Sequence, residues 1–197
     1  MSESAKPQTI ARRVEQGFLP LVGQGLDVGA GPDASYWAWW SQFPKSIVRP
    51  WDLGDGDAHD LIGIENGSLD WIFSSHCLEH LDTPGDALHT WVQAVKPGGK
   101  LLISVPHRDL YEGRHNLPSY WNHEHRRFYV PERADVGGSP DTVAFGPWLR
   151  DMGKGLGFEL VRLEVGDRDC VPAEVPNRHA TGEYCIDALL VKLPTHT

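Results

Sequence analysis

The sequence predicts an α/β fold in which a doubly wound, mostly parallel sheet carries helices on both faces. Three observations support this prediction. A short apolar strand runs into a glycine turn at residues 29–31 and then into a helix start. Further apolar strands alternate with amphipathic helices along the chain. Residues 101–105 are nearly all apolar, which is typical of a central strand buried on both sides.

Length and composition are typical of one soluble domain. The chain has 197 residues, 40% of them hydrophobic, without an internal repeat or linker, so residues 1–197 are expected to form a single domain. No apolar run approaches the roughly 18 residues of a membrane span. The polar N-terminus does not show the apolar core of a signal peptide, and three cysteines without metal-type spacing favour a reduced, cytoplasmic protein. The net charge of −9 disfavours nucleic-acid binding.

The first half of the chain is expected to alternate helix and strand. Residues 1–9 are predicted to be a loose tail, followed by a short helix over residues 10–18 with Ile10, Val14 and Phe18 on one face. This helix either covers the ligand site or only caps the sheet. After the glycine turn, Asp33 can cap a helix over residues 34–42, and residues 46–51 form the second strand. The segment that follows is too short for a full helix and strand. The third strand is therefore reduced or lies within residues 59–64.

The second half begins with a strand over residues 69–74. A helix then starts at Thr83, as cap, with Pro84 at its first position, and residues 96–99 stop it. Residues 100–106 form the next strand. Residues 107–141 are predicted to be an irregular, substrate-facing insertion, because binding loops follow the carboxyl ends of such strands. A helix over residues 143–156 and closing strands over 158–164 and 184–193 complete the chain.

The glycine turn carries an acidic residue, Asp27, two positions before Gly29. A carboxylate there suits a ligand with an ammonium group or free hydroxyls and no phosphates, such as S-adenosylmethionine. The third glycine of a dinucleotide fingerprint would be at position 34, which is alanine, and this argues against a nicotinamide oxidoreductase. Asp52, at the end of the second strand, can accept hydrogen bonds from two ribose hydroxyls. Alternatively, the glycine turn is only a tight connection in the fold, and Asp52 is only an ordinary turn residue.

Five segments in order resemble the class I (Rossmann-like) S-adenosylmethionine-dependent methyltransferases. They look closest to a bacterial group of small-molecule methyltransferases in which a Leu-Glu-His-Leu motif follows strand four. The matching segments are residues 26–31, 56–58, 69–74, 78–81 and 95–101. The resemblance covers residues 24–106. The chain departs from the family pattern at Asp33, which replaces the third motif glycine, and in the short segment before Asp57.

The resemblance implies a seven-stranded sheet with the last strand inserted antiparallel, and S-adenosylmethionine as cofactor, with S-adenosylhomocysteine as product. The methionine part would lie at the glycine turn, the ribose at the second strand and the adenine beside residues 57–58. The implied cofactor-binding residues are Asp27, Gly29, Ala30, Gly31, Asp52, Asp57, Ala58, Ser75, His76 and Leu78.

Methyl transfer from a sulfonium mainly requires alignment and exclusion of water, and a hydroxyl acceptor also needs a base. His76 and His107 follow the fourth and fifth strands, so they are the catalytic candidates. His80 is expected to fasten its loop instead. No metal is expected, because His123 and His125 have no acidic third ligand at fixed spacing. The candidate substrate-binding residues are Tyr111, His115, Trp121, His123 and His125.

The sequence therefore predicts a cytoplasmic S-adenosylmethionine-dependent methyltransferase. Its acceptor is expected to be a small molecule with an O- or N-nucleophile, such as a sugar or secondary metabolite. A non-catalytic cofactor-binding subunit with the same fold is the alternative. The protein is expected to be a monomer or homodimer that binds neither nucleic acid nor membrane.

Overall fold

The computed structural model describes residues 6–31, 40–132, 139–171 and 182–194. In these residues the chain forms a six-stranded sheet with helices on both faces, and a separate pair of short parallel strands. The elements are α1 (Pro7–Glu15), β1 (Gly23–Val28), β2 (Ser46–Trp51), β3 (Leu69–Ser75), α2 (Pro84–Ala94), β4 (Val95–Pro106), β5 (Phe128–Val130), β6 (Thr142–Ala144), α3 (Phe145–Leu156), β7 (Phe158–Gly166) and β8 (Cys185–Lys192).

The main sheet has the strand order β2-β1-β3-β4-β8-β7. Strands β1 to β4 run parallel to one another, and β8 lies antiparallel between β4 and β7. The predicted doubly wound α/β fold with an inserted antiparallel last strand is confirmed. The seventh strand is not found: residues 52–68, all described, form only turns and irregular structure. Glycines at 54, 56, 63 and 67 explain this, because glycine favours turns over strand interiors.

Alternate residues of the central strands fill two hydrophobic cores, one on each face of the sheet. In β3, Ile72 joins the core under α2 and α3, whereas Trp71 and Phe73 join the core under α1. In β4, Leu101 likewise joins the core under α2 and α3, and Leu102 joins the core under α1. Since successive side chains of a strand point to opposite faces, a nearly continuous apolar run serves both layers.

The N-terminal helix differs from its predicted form. It begins at Pro7, so the predicted tail is too long; residues 1–5 lie outside the described residues. Val14 is 44% exposed, and Phe18 is buried beyond the end of the helix. Ile10 is buried as predicted, but the buried face also carries Arg12 and Arg13, because the carboxylate of Asp187 in the last strand pairs with both. A hydropathy pattern assigns arginine to the surface and therefore missed these two residues.

Smaller differences affect element ends. Strand β4 already begins at Val95, and residues 142–144, of which 143 and 144 were predicted helical, form β6. Thr83 occupies the N-cap position of α2, but its side chain makes no capping hydrogen bond. The predicted helix over residues 34–42 and its cap Asp33 fall largely on residues 32–39, outside the described part of the chain. None of the described helices is long and apolar enough to cross a membrane.

A glycine in β1 is required by close packing. Gly25 pairs with Trp71 of β3, and a Cβ atom at Gly25 would lie 2.0 Å from Cδ2 of that indole. We expect Gly25→Ala to lower the free energy of unfolding by about 1–3 kcal/mol, because the indole must shift within a packed core. Denaturant titration measures this loss.

The matched control is Gly155→Ala in α3, where a Cβ would meet no heavy atom within 4 Å. Alanine at this helical position is expected to raise the free energy of unfolding by about 0.4–1 kcal/mol. A Gly25→Ala protein as stable as the parent would contradict the packing of Trp71 described above.

Candidate functional site

A cavity of about 630 Å³ opens at the carboxyl ends of β1, β2 and β3. Ligands of open α/β sheets bind at this edge, and the volume falls in the range of about 300–1,000 Å³ typical of small-molecule sites. Its lining residues come from the turns after these strands and from the loop before β5. They are Gly29, Trp51, Asp52, Leu53, Gly56, Asp57, Ala58, His59, His76, Cys77, His80, Leu81, Asp82, Glu124 and Arg126.

The glycine turn after β1 forms one wall of the cavity. Gly29 has φ +79°, and its N–H donates to the carbonyl of Trp51 at 2.9 Å. A Cβ at Gly29 would lie 2.6 Å from Cβ of Cys77, so only glycine lets the turn pack against the loop after β3. Ala30 and Gly31 continue the turn but are not among the lining residues.

Asp27 lies beneath this turn and does not line the cavity. Its side chain is 3% exposed and accepts a hydrogen bond from Nε1 of Trp40 at 2.9 Å. Burial raises the pKa of Asp27 to about 8, against the smaller lowering effect of the Trp40 hydrogen bond. The described structure thus gives this carboxyl a partner inside the fold, whereas the resemblance assigns it to the cofactor.

Two acidic residues of the predicted set line the cavity beyond β2. Asp52 follows β2 directly, and its Oδ1 accepts from the backbone N–H of Leu53 at 2.7 Å. Oδ1 of Asp57 accepts from the backbone N–H of His59 at 2.8 Å and lies 2.7 Å from Nδ1 of its ring. The backbone and then the side-chain hydrogen bond of His59 hold the pKa of Asp57 below its usual range. Ala58 lines the same wall.

His76 is the predicted catalytic residue that faces the cavity. It follows β3 with φ 53°, a conformation that a residue with a Cβ seldom adopts. Its Nδ1 lies 3.6 Å from Oε1 of Glu79, and its ring centroid is 6.1 Å from that of Tyr111. Backbone strain of this kind is found at functional sites, where the surrounding structure maintains it.

His107, the other catalytic candidate, does not line the cavity. Its side chain is 9% exposed, and its Nδ1 accepts a hydrogen bond from the backbone N–H of Asp109 at 3.1 Å. Burial lowers the pKa of His107, which favours the neutral ring. Ser75 and Leu78, predicted to contact the cofactor, are also outside the lining residues, and Leu78 is fully buried in the core.

A group of ionisable side chains lies behind the His76 wall. Glu79, in the turn Leu78–His80, is fully buried, and its Oε1 lies 3.8 Å from Nε2 of both His80 and His125. The rings of His80 and His125 meet edge to face, with their centroids 4.9 Å apart. His80 also lines the cavity, so this group connects the core to the site.

Glu112 fixes the orientation of His125. Its Oε1 lies 2.9 Å from Nδ1 of His125 and 2.6 Å from the hydroxyl of Ser119, and its Oε2 accepts from the N–H of Tyr120 at 3.2 Å. Burial opposes ionisation of Glu112, but the hydrogen bonds from His125, Ser119 and Tyr120 outweigh it and hold its pKa below the usual range.

The predicted substrate residues divide into two groups. Tyr111 and the buried His125 lie behind the cavity wall, with ring centroids 5.7 Å apart. His115, Trp121 and His123 are exposed, and the structure does not bring them to the cavity lining.

Sequence reasoning missed several lining residues. The loop before β5 contributes Glu124 and Arg126, and the N–H of Arg126 donates to the carbonyl of Glu79 at 2.8 Å. Only the general rule that loops at the strand ends carry function indicated this loop.

Cys77 also lines the cavity, but burial raises the pKa of its thiol to about 12, which agrees with a packing role rather than a nucleophilic one.

Residues 39–103 match a family model described as a methyltransferase domain. The match runs from before β2 into β4 and leaves out the glycine turn. A search of curated protein sequences finds no significant match.

Solved structures agree with the fold over nearly the whole chain. An S-adenosylmethionine-dependent methyltransferase from Archaeoglobus fulgidus superposes with a TM-score of 0.61 at 16% identity, covering 95% of each chain. The fold is that of Rossmann-like methyltransferases. Another such methyltransferase, from Aquifex aeolicus, gives a TM-score of 0.56 at 16% identity, covering 96% of this chain and 95% of that one.

A third structure contains a bound ligand. Phosphoethanolamine N-methyltransferase 2 of Haemonchus contortus, in complex with phosphomonomethylethanolamine and S-adenosylhomocysteine, gives a TM-score of 0.57 at 17% identity. The alignment covers 95% of this chain but 52% of that one. The partial family match and the shared fold together support a methyltransferase.

Proposed function

We propose that this protein transfers a methyl group from S-adenosylmethionine to a small-molecule acceptor with an O- or N-nucleophile, such as a sugar or secondary metabolite. It would act in the cytoplasm, as a monomer or homodimer, and release S-adenosylhomocysteine. The observation that carries the proposal is the cavity at the ends of β1 to β3. There, Gly29, Asp52 and His76 line one space.

These residues match the parts of the cofactor by chemistry. A carboxylate accepts hydrogen bonds only, and the ribose offers two hydroxyl donors, so Asp52 would hold the ribose. The turn at Gly29 lets the ligand approach the backbone closely. The Asp57–Ala58 segment would lie along the adenine. Asp27, which is 3% exposed, would help to hold the methionine part of the cofactor from beneath the turn.

Methyl transfer to a hydroxyl breaks the S–CH₃ bond and forms an O–CH₃ bond, and the acceptor proton must leave. We assign His76 as the base that takes this proton, because it is the catalytic candidate among the lining residues and imidazole is suited to general-base catalysis near neutral pH. The net charge of −9 favours a small acceptor over nucleic acid. Alignment of the two reactants by the cavity would supply most of the rate enhancement.

Calorimetric titration with S-adenosylhomocysteine tests the cofactor assignment. We expect the parent protein to bind with a micromolar Kd. Asp52→Asn keeps the side-chain volume and one acceptor but removes the charge. Because hydrogen bonds to charged groups contribute about 1.5–3 kcal/mol, its affinity should fall about 10- to 100-fold.

The matched control is Asp60→Asn, an exposed residue of the same loop outside the cavity lining, which should bind like the parent. A folded parent that binds no S-adenosylhomocysteine would overturn the proposal. Equal weakening in both variants would contradict the role of Asp52.

The acceptor class is tested by transfer of a labelled methyl group to a cell extract separated into small-molecule, protein and nucleic-acid fractions. Label is expected in the small-molecule fraction. Label in either polymer fraction would overturn the acceptor class. Cofactor binding without transfer to any fraction would favour a non-catalytic binding subunit.

A further inference from the structure

We infer that Glu79, His80 and His125 bind a divalent transition-metal ion at the inner wall of the cavity. Their ligand atoms all lie within 4.8 Å of one another. Two imidazoles and one carboxylate form a ligand set suited to Zn²⁺, Mn²⁺, Fe²⁺ or Co²⁺ rather than to Mg²⁺ or Ca²⁺. This inference departs from the expectation, based on sequence, that no metal is bound.

The distances fit ligands that converge on a common centre. Nε2 of His80 and Nε2 of His125 each lie 3.8 Å from Oε1 of Glu79, too far for a hydrogen bond. Ligand atoms at about 2.0–2.1 Å from one ion lie roughly 3–3.5 Å from each other. The two Glu79–histidine distances would have to shorten by about half an ångström, and the two histidine nitrogens, which lie within 4.8 Å of each other, would also have to move together to close the site around an ion.

Glu79 provides an independent reason to expect a cation. Its side chain is fully buried, and in the described structure neither carboxylate oxygen has a hydrogen-bond partner. Buried carboxylates are normally paired, hydrogen-bonded or coordinated to a metal, because an uncompensated buried charge is very costly. The polar groups around Oε1 are the histidine nitrogens described above, including Nδ1 of His76 at 3.6 Å.

The hydrogen bond of His125 to Glu112 orients the ring for metal binding. An ionised carboxylate can only accept, so Nδ1 of His125 carries the proton that it shares with Glu112 at 2.9 Å. Nε2 of His125 is left available as a ligand, 3.8 Å from the lone pairs of Oε1 of Glu79. A cation between Nε2 of His125 and Oε1 of Glu79 would accept electron pairs from both atoms. A carboxylate behind a histidine ligand is the usual outer-shell arrangement of metal sites.

The position of the site suggests its use, and this step rests on the proposed function. His80 lines the cavity while Glu79 lies behind it, so an open coordination position would face the acceptor. A metal ion there would bind and orient the oxygen or nitrogen of the acceptor beside His76. Metal binding itself does not depend on methyl transfer and can be measured alone.

The test uses tag-free protein, stripped of metal with a chelator and titrated calorimetrically with Zn²⁺. One ion should bind per chain, and Co²⁺ should give the visible absorption bands of a protein-ligated ion. Because the ion binds only the folded state, the parent should also melt at a higher temperature with Zn²⁺ present. S-adenosylhomocysteine is titrated separately, so failure of the metal site and failure of the cofactor assignment give different results.

Two conservative variants locate the site. Glu79→Gln removes the charge at constant volume, and His125→Asn keeps a nitrogen near Nδ1 but lacks Nε2. Each is expected to weaken Zn²⁺ binding at least 100-fold and to abolish the Co²⁺ bands. The control His89→Ala removes an exposed histidine of α2 and should bind like the parent.

Two results would overturn the inference. One is a folded, tag-free parent that binds no stoichiometric metal, in which case protons on the histidines balance Glu79. The other is a stoichiometric site that survives in both Glu79→Gln and His125→Asn. If either variant fails to fold, the melting temperature and Co²⁺ spectrum of the parent still decide whether the ion is bound.

Discussion

Asp187→Asn is expected to lower the free energy of unfolding by about 3–5 kcal/mol, because it breaks a buried ionic network. The carboxylate of Asp187 is fully buried. It accepts from Nη2 of Arg12 at 2.8 Å and from Nε and Nη2 of Arg13, each at 2.9 Å. Glu183 balances the second positive charge through Nε of Arg12. Asparagine keeps the volume but leaves one guanidinium charge without a counter-charge inside the protein.

Denaturant titration at neutral pH measures this loss, and an exposed ion pair provides the control. Glu132 and Arg150 form a bidentate salt bridge with N···O distances of 2.8 and 2.9 Å, and their side chains are 57% and 52% exposed. Glu132→Gln is expected to cost about 0–1 kcal/mol. If the two variants lost equal stability, the network around Asp187 would not be the buried structural element described here.

The pH dependence of the Asp187 contribution has a defined sign. The paired guanidinium groups overcome the effect of burial and hold the pKa of Asp187 well below its usual range. Its contribution is therefore present above the unfolded-state value of about 3.9 and is lost as the pH falls toward the folded-state value. Below pH about 4 the difference in stability between the parent and Asp187→Asn should narrow.

Asp27→Asn is expected to have the opposite pH dependence. Burial raises the pKa of Asp27 to about 8 in the folded protein, whereas an aspartate in the unfolded chain has a pKa of about 3.9. Between these values the folded state holds a proton that the unfolded state has lost, so the parent loses stability as the pH rises. From pH 5 to pH 7 the parent should lose about 2–3 kcal/mol relative to the variant.

Urea unfolding at several pH values measures this difference. Asparagine does not titrate and can still accept the hydrogen bond from Trp40, so packing is preserved. The control Asp151→Asn changes a side chain that is 81% exposed and should keep the pH slope of the parent. A parent and an Asp27→Asn protein with parallel stability curves would show that Asp27 has an ordinary pKa in the folded state.

Local pattern was sufficient for most of the fold. Strands β2, β3, β7 and β8 and helices α2 and α3 lie within a few residues of their predicted positions. Their signals, apolar runs and helical periodicity, depend on neighbours in sequence. The short segment after Asp52 indicated that the third strand would be reduced or lie within residues 59–64; residues 52–68 form no strand, so the second alternative is wrong. The buried face of α1 was predicted only in part: Ile10 is buried, but Arg12 and Arg13 were missed, because arginine is buried there only through its ion pairs with distant residues.

The candidate site was predictable only in part. Gly29, Asp52, Asp57, Ala58 and His76 line the cavity as their motif positions indicated. Ser75 ends β3 and His107 follows β4, but neither is among the residues that line the cavity. Strand-end position narrows the candidates, whereas side-chain direction depends on the tertiary contacts of each loop.

By itself, the sequence determined the order of elements, the glycine turn after β1 and the edge of the sheet where the cavity opens, because these depend on local periodicity and backbone freedom. The tertiary structure alone decided which charges meet. It brings Arg12 to Glu183, 171 residues away, and His125 to the turn that holds Glu79. Such pairs compensate the cost of burying charge, and no local pattern encodes that compensation between segments far apart in the chain.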